Sequence, residues 1–239
     1  MKKILFAACL TAMVSVGAAF AQNIDTSKPL PAEYFHYDLD DSGDGIVIFG
    51  FSSKVEKEFA TKYKNSDFYY LYNFSVLNIP SEIEGLPVTE VRFNDVSPIG
   101  TFAQRGRKGD DIIPWDLVII PDGVSVNTSL VMYLPTIYTK KLILGKNLKF
   151  PRSYEFYKLE EFVVPESVTE LGYYGDVQFT TAVIPEHINV IRGGIGGANL
   201  TDIIFHDNVY IAYRAKVYGK FSIKTRQKIR KLTSSDDSF

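Results

Sequence analysis

The stretch FVVPESVTELG, residues 162–172, is followed twenty residues later by AVIPEHINVIR and preceded at the same spacing by LILGKNLKFPR. Near copies of one line at constant spacing point to stacked repeats, so the frame is worth extending along the chain. Three apolar slots precede each anchor proline. Phe74, Leu77 and Ile79 stand before Pro80, and Trp115, Val118 and Ile120 before Pro121. Leu159, Phe162 and Val164 precede Pro165, and Phe179, Ala182 and Ile184 precede Pro185. Two further copies lack the proline: Thr139, Leu142 and Leu144 lead to Gly145, and Leu200, Ile203 and Phe205 lead to His206. The anchors at 80, 121, 145, 165, 185 and 206 are 41, 24, 20, 20 and 21 residues apart. The first gap therefore holds either two turns or one turn with an insertion.

The last two slots of each copy alternate as in a strand and point one way into a core. A second apolar pair follows the anchor: Val168 with Leu171, Ile188 with Ile191, and more weakly Val209 with Ala212. That pair closes the coil on its other side. One coil cannot bury its own face, so neighbours must stack around a shared core. The competing architecture, a sandwich with evenly spaced strands, does not require the proline to stay in phase.

The lines LNIPSEIEGLPVTEV, FVVPESVTELG and AVIPEHINVI resemble the BspA-like leucine-rich repeats of bacterial surface proteins over roughly residues 34–232. YDLDDSGDGIVIFGF is similar to the lead-in of small secreted members of that family. The resemblance implies adhesion or another protein-binding role at the cell surface. The family's Ala-Phe after the glycine is largely missing, with Tyr173-Tyr174 and Gly193-Gly194 nearby instead, so irregular coils are expected on that side. The expected fold is a right-handed leucine-rich-repeat solenoid, with parallel strands on one face and little helix. Its strands should include 162–164, 182–184 and 203–205.

Lys2 and Lys3, an apolar run over residues 4–16 and Ala19-Phe20-Ala21 have the form of a secretory signal peptide. Cleavage there leaves 218 residues and moves the net charge from −2 to −4, which argues against nucleic acid as a partner. No second run is long enough to span a bilayer, so the mature chain has no expected transmembrane segment. The only cysteine, Cys9, lies inside the signal; its FAAC context has the look of a lipoprotein box, but the apolar region before it is too short. The expected location is exported: cell surface, periplasm or extracellular.

The resulting division is a signal peptide over 1–21, a leader over 22–33, an N-terminal β-hairpin cap with an insertion over 34–76 and leucine-rich repeats over 77–221. A capping helix over 222–232 and a tail over 233–239 follow. YFHYDL and IVIFGF read as two strands joined by DDSGDG. In SIKTRQKIRKL, Ser222 takes an N-cap position and Ile223, Ile229 and Leu232 share one face. AQRGRKGDD, residues 103–111, reads as a polar, protease-sensitive insertion.

Signs of chemistry are sparse, and no enzyme and no cofactor are expected. An EF-hand frame begun at Asp40 places Phe51 where a bidentate glutamate is required, and one begun at Asp38 places Phe49 there, so DDSGDG reads as a turn. His36, His187 and His206 fit no catalytic or metal motif. Glu186-His187 and His206-Asp207 fall at equivalent places on neighbouring coils, where solvated loop residues are the simpler account than a weak metal site. Gly193-Gly194-Ile195-Gly196-Gly197 lacks the helix a phosphate loop needs and reads as a coil corner. Asn73, Asn127 and Asn199 head glycosylation triplets, but the bacterial form of the signal assigns them no glycan.

The repeats themselves offer a surface. The slot before the last core residue points outward and holds Asn78, Ile119, Ile143, Val163, Val183 and Ile204. Five of these six are β-branched and apolar, either because strands favour such residues or because a partner covers them. Beside them Leu117, Lys141, Glu161, Thr181 and Asp202 form a mostly polar row suited to specificity. The expectation is a non-enzymatic recognition or adhesion module that binds a protein or glycan through this face. The alternative is an envelope-internal structural or assembly protein using the same face on another bacterial protein.

Overall fold

The computed structural model describes residues 27–62, 70–93, 103–108, 111–127 and 134–233. The expected signal peptide and most of the expected tail lie outside the described residues. The described chain is a parallel-strand β-solenoid with two α-helices.

Each coil can be followed through three ladders. The first holds the repeat strands: 117–119 of Trp115–Ile120 pair with Val76–Asn78 on one side and with 141–143 of Thr136–Leu144 on the other, all parallel. Direct pairing of Val76–Asn78 with the strand before Pro121 settles the long first gap as one coil carrying an insertion. Further along, Thr181–Val183 pairs with Asp202–Ile204. The second ladder joins Leu86–Arg92 to Ser125–Asn127, and then 170–171, 190–191 and Tyr210–Ile211 to one another. The third runs 136–138, Glu155–Tyr157, 173–175, 194–196 and Lys216–Tyr218. Parallel pairing therefore extends beyond the single face expected, and the side after the glycine is an ordered ladder rather than irregular chain. Its irregularity is confined to a register slip between Leu171 and Tyr173.

The expected strand at 162–164 is absent, and a side chain explains it. Tyr174 is fully buried, so its hydroxyl needs an internal partner, and it donates to the Val163 carbonyl at 2.8 Å. That carbonyl is one a flanking strand would otherwise use. Phe162 and Val164 are half-buried against the core, with Phe162 packed on Tyr174 and Phe179 at centroid distances of 5.2 and 5.6 Å.

The inward slots otherwise fill one continuous core. Leu77, Val118, Ile120, Ala182, Ile184 and Ile203 are buried, as are Val168, Leu171, Ile188, Ile191 and Val209 of the closing pairs. In the last coil Ile211, not Ala212, is the buried partner. Gly145 replaces proline because a Cβ there would lie 2.4 Å from the Asp122 nitrogen of the coil before.

At the front, Phe35–Leu39 pairs antiparallel with Ile46–Phe51, and the latter pairs parallel with Leu86–Arg92. The helix α1 (Ser53–Phe59) follows, burying Val55 and Phe59, and Ala60–Lys62 pairs with Tyr70–Tyr72. The polar insertion expected to be protease-sensitive is largely paired: Gly106–Lys108 and Asp111–Ile113 form a hairpin, and Ala103 is buried. Arg105 fastens it: its carbonyl accepts from the Tyr72 amide, and its Nε donates to the Tyr72 carbonyl.

At the back stands α2 (Ile223–Leu232), where Ser222 Oγ accepts from the Thr225 amide at 3.1 Å, an N-cap bond. Ile229 and Leu232 pack on the core, but Ile223 is 76 % exposed, contrary to its expected place on the inner face. Thr225 is the residue buried there instead.

Candidate binding surfaces

The outward slots of the first ladder differ from coil to coil. Ile143, Val183 and Ile204 are 52, 57 and 50 % exposed. Ile119 lies opposite Ile143 and Val183 opposite Ile204 in the strand register, and Ile119 and Val163 are half-buried. Asn78 is buried: the Leu30 amide donates to its carbonyl at 3.0 Å, so the chain's lead segment runs along this edge strand.

In the adjacent row Leu117 pairs with Lys141 and Thr181 with Asp202. Lys141, Glu161 and Thr181 are exposed and Leu117 is half-buried. Asp202 is already engaged, because Thr225 Oγ1 of α2 donates to its Oδ1 at 2.8 Å and the Ile203 amide does so at 2.9 Å. It anchors the helix to the last coil.

The DDSGDG turn satisfies its own carboxylate. Asp40 Oδ1 accepts from the Ser42 amide and hydroxyl, and Oδ2 accepts from Thr89 Oγ1 at 2.9 Å. These bonds, the Ser42 hydroxyl first, hold the Asp40 carboxyl below its usual range. Gly43 takes φ +77°, as a tight turn requires. His206 is likewise occupied: its Nε2 lies 2.9 Å from the Ile188 carbonyl and its Nδ1 accepts from the Asn208 amide. His187 and Glu186 are exposed. Among the described residues no three His, Cys, Asp or Glu side chains gather into a metal site. Among them, too, no helix is long and apolar enough to cross a membrane.

The glycine-rich stretch is strand rather than corner, since Val190–Gly196 pairs on both sides and Ile195 is buried. Its glycines permit close stacking: a Cβ on Gly193 would lie 2.5 Å from the Gly172 carbonyl carbon.

A charged knot crosses three coils at the second ladder. Arg152 forks onto Glu170 through Nε and Nη2 at 2.8 and 2.9 Å, and Arg192 donates to both oxygens of the same carboxylate. The Arg152 and then the Arg192 donors pull the Glu170 carboxyl from its ordinary 4.5 down to about 2. A folded-state value below the unfolded one means the stabilisation is full above pH 4.5 and is lost as pH falls toward 2. Solvent around the exposed Arg152 trims the effect, so the expected loss is about 1–2 kcal/mol. Unfolding by urea across that window measures it, and Glu170→Gln should remove most of the local pH dependence. An unchanged pH profile in that variant would show that the knot contributes nothing.

No protein-family model matches the chain, and no curated protein does. Among solved structures, the crystal structure of the T. pallidum leucine-rich repeat protein TpLRR is similar, with TM-score 0.45 and 17% identity over 87% of this chain and 97% of that one.

Proposed function

We propose that this chain is a non-enzymatic recognition module, exported to the bacterial surface or beyond, that binds a protein partner through the outward face of its first ladder. The observation that carries the reading is the outward-slot trio Ile143, Val183 and Ile204, each at least half exposed on a chain whose core is otherwise well filled. Ile143 stands opposite Ile119 and Val183 opposite Ile204 on the outward side of the repeats, and exposed apolar surface of this kind marks interaction sites. A partner covering them gains roughly 25 cal/mol for each Å² of apolar surface removed from water. Lys141, Glu161 and Thr181 border this surface and supply selectivity. The resemblance of the repeats to BspA-like surface proteins agrees with this reading.

The test begins with partners captured from envelope and host extracts by the wild-type chain. The double variant Ile143→Lys with Val183→Lys should fold and bind the captured partner about tenfold more weakly, equivalent to about 1.4 kcal/mol. Full-strength binding by the folded variant would place the site elsewhere. Protease shaving of intact cells tests location, since an envelope-internal protein would survive it.

A further inference from the structure

We propose that the third ladder, with the groove beside it, forms a second binding surface, and that its ligand is an anionic polysaccharide containing uronic acids. The surface is built from tyrosines. Tyr138 and Tyr157 stack with centroids 4.7 Å apart and ring planes 16° apart. Tyr157 meets Tyr173 at 5.5 Å, and the hydroxyls of Tyr173 and Tyr218 lie 3.3 Å apart. The four rings thus run along the solenoid axis from the strand at 136–138 to that at 216–218, at a coil spacing of about 4.8 Å.

Two glycines give these rings their floor. In the column of outward slots, Gly175 is opposite Tyr157 and Gly196 opposite Tyr218. A Cβ on Gly175 would come 2.4 Å from the Tyr157 ring and 2.7 Å from Tyr173; one on Gly196 would come 2.1 Å from the Tyr218 ring. Side chains at these positions would push the rings off the sheet. The result is a shelf, half-buried at Tyr138, Tyr157 and Tyr173 and 46 % exposed at Tyr218.

Charge selects the ligand. A groove of about 350 Å³ beside the shelf is lined by Arg152, Arg192, Arg214 and Lys216, with Glu155 the one acid among its described lining residues. Even with Glu170 counted behind the two arginines, the site is net positive on a chain whose overall charge is −2. Pyranose rings present flat C–H faces that stack on aromatic rings, while their hydroxyls exchange hydrogen bonds with the tyrosine hydroxyls. Carboxylates carried at regular intervals meet the Lys216 ammonium and the guanidinium nitrogens that Arg152 and Arg192 do not direct at Glu170. Burial keeps the hydroxyls of Tyr157 and Tyr173 well above their usual pKa, so both remain neutral donors. An acidic peptide would use the cations but has no flat repeating face to set against the rings.

The test titrates the full chain with oligogalacturonate and oligomannuronate, and in parallel with a neutral oligosaccharide and with oligoglutamate. At least one oligouronate should bind, more weakly as salt rises, and the neutral sugar should bind about tenfold less tightly. Tyr218→Ala should lose about tenfold in uronate affinity with its melting temperature unchanged, and Lys216→Gln should lose severalfold. The double variant Ile143→Lys with Val183→Lys should bind uronate normally, which separates this site from the first-ladder face. No binding of either oligouronate, or unaltered binding by Tyr218→Ala, would overturn the proposal. Oligoglutamate binding as tightly as uronate would replace it with an acidic-peptide site.

Discussion

Gly194→Ala is expected to destabilise the protein by about 3–5 kcal/mol, a large share of the stability of an ordinary domain. Two independent effects add at this position. Gly194 has φ +114°, a conformation L-residues rarely adopt, so any side chain brings backbone strain. A Cβ would also lie 2.2 Å from the Lys216 carbonyl oxygen and 2.5 Å from its nitrogen. Those atoms belong to the strand of the next coil, which cannot retreat without breaking its pairing with 194–196. Gly43→Ala is the control: it too has positive φ, +77°, but nothing lies within 4 Å of the added atom. Its cost should be about 1 kcal/mol. Denaturant midpoints of the two variants measure the difference, and equal losses would show that coil contact at Gly194 is looser than its geometry requires.

The repeat was legible because a strand that buries one face must alternate, and a solenoid must do so once per coil. Val118, Ile120, Ala182, Ile184 and Ile203 follow that demand and are buried. What stayed hidden depends on residues distant in sequence. Nothing near Val163 announces that the Tyr174 hydroxyl will take its carbonyl, and nothing near Asn78 announces that the lead segment will reach it at Leu30. Asp202 sits in an outward slot, yet Thr225 of α2 engages it from twenty-three residues away. The tyrosine shelf was missed for a related reason. Its members Tyr138, Tyr157 and Tyr218 share one column, but Gly175 and Gly196 stand between them, so no aromatic periodicity survives. A search for glycines in phase with tyrosines, at the coil spacing, is the signal that finds it.

The first core slot of the second coil gives the other large effect: Trp115→Ala should cost about 3–5 kcal/mol. Trp115 is fully buried and lies within 6.0 Å, centroid to centroid, of Phe51, Tyr72 and Phe74. Those rings come from the front hairpin, the strand Tyr70–Tyr72 and the first repeat slot. The indole therefore fastens the N-terminal elements to the solenoid. Truncation would leave a cavity among rigid rings that cannot collapse to fill it, which is the condition for the upper end of the cost. Phe162→Ala is the informative comparison, since Phe162 fills the second slot of its own copy but is half-buried in a segment with no strand pairing. About 2 kcal/mol is expected there, because only part of the side chain leaves a packed environment. Urea unfolding of both variants ranks them. If Trp115→Ala cost no more than Phe162→Ala, the junction between the front elements and the repeats would not be packed as described, and the hairpin would have to be held by its backbone pairing with Leu86–Arg92 alone.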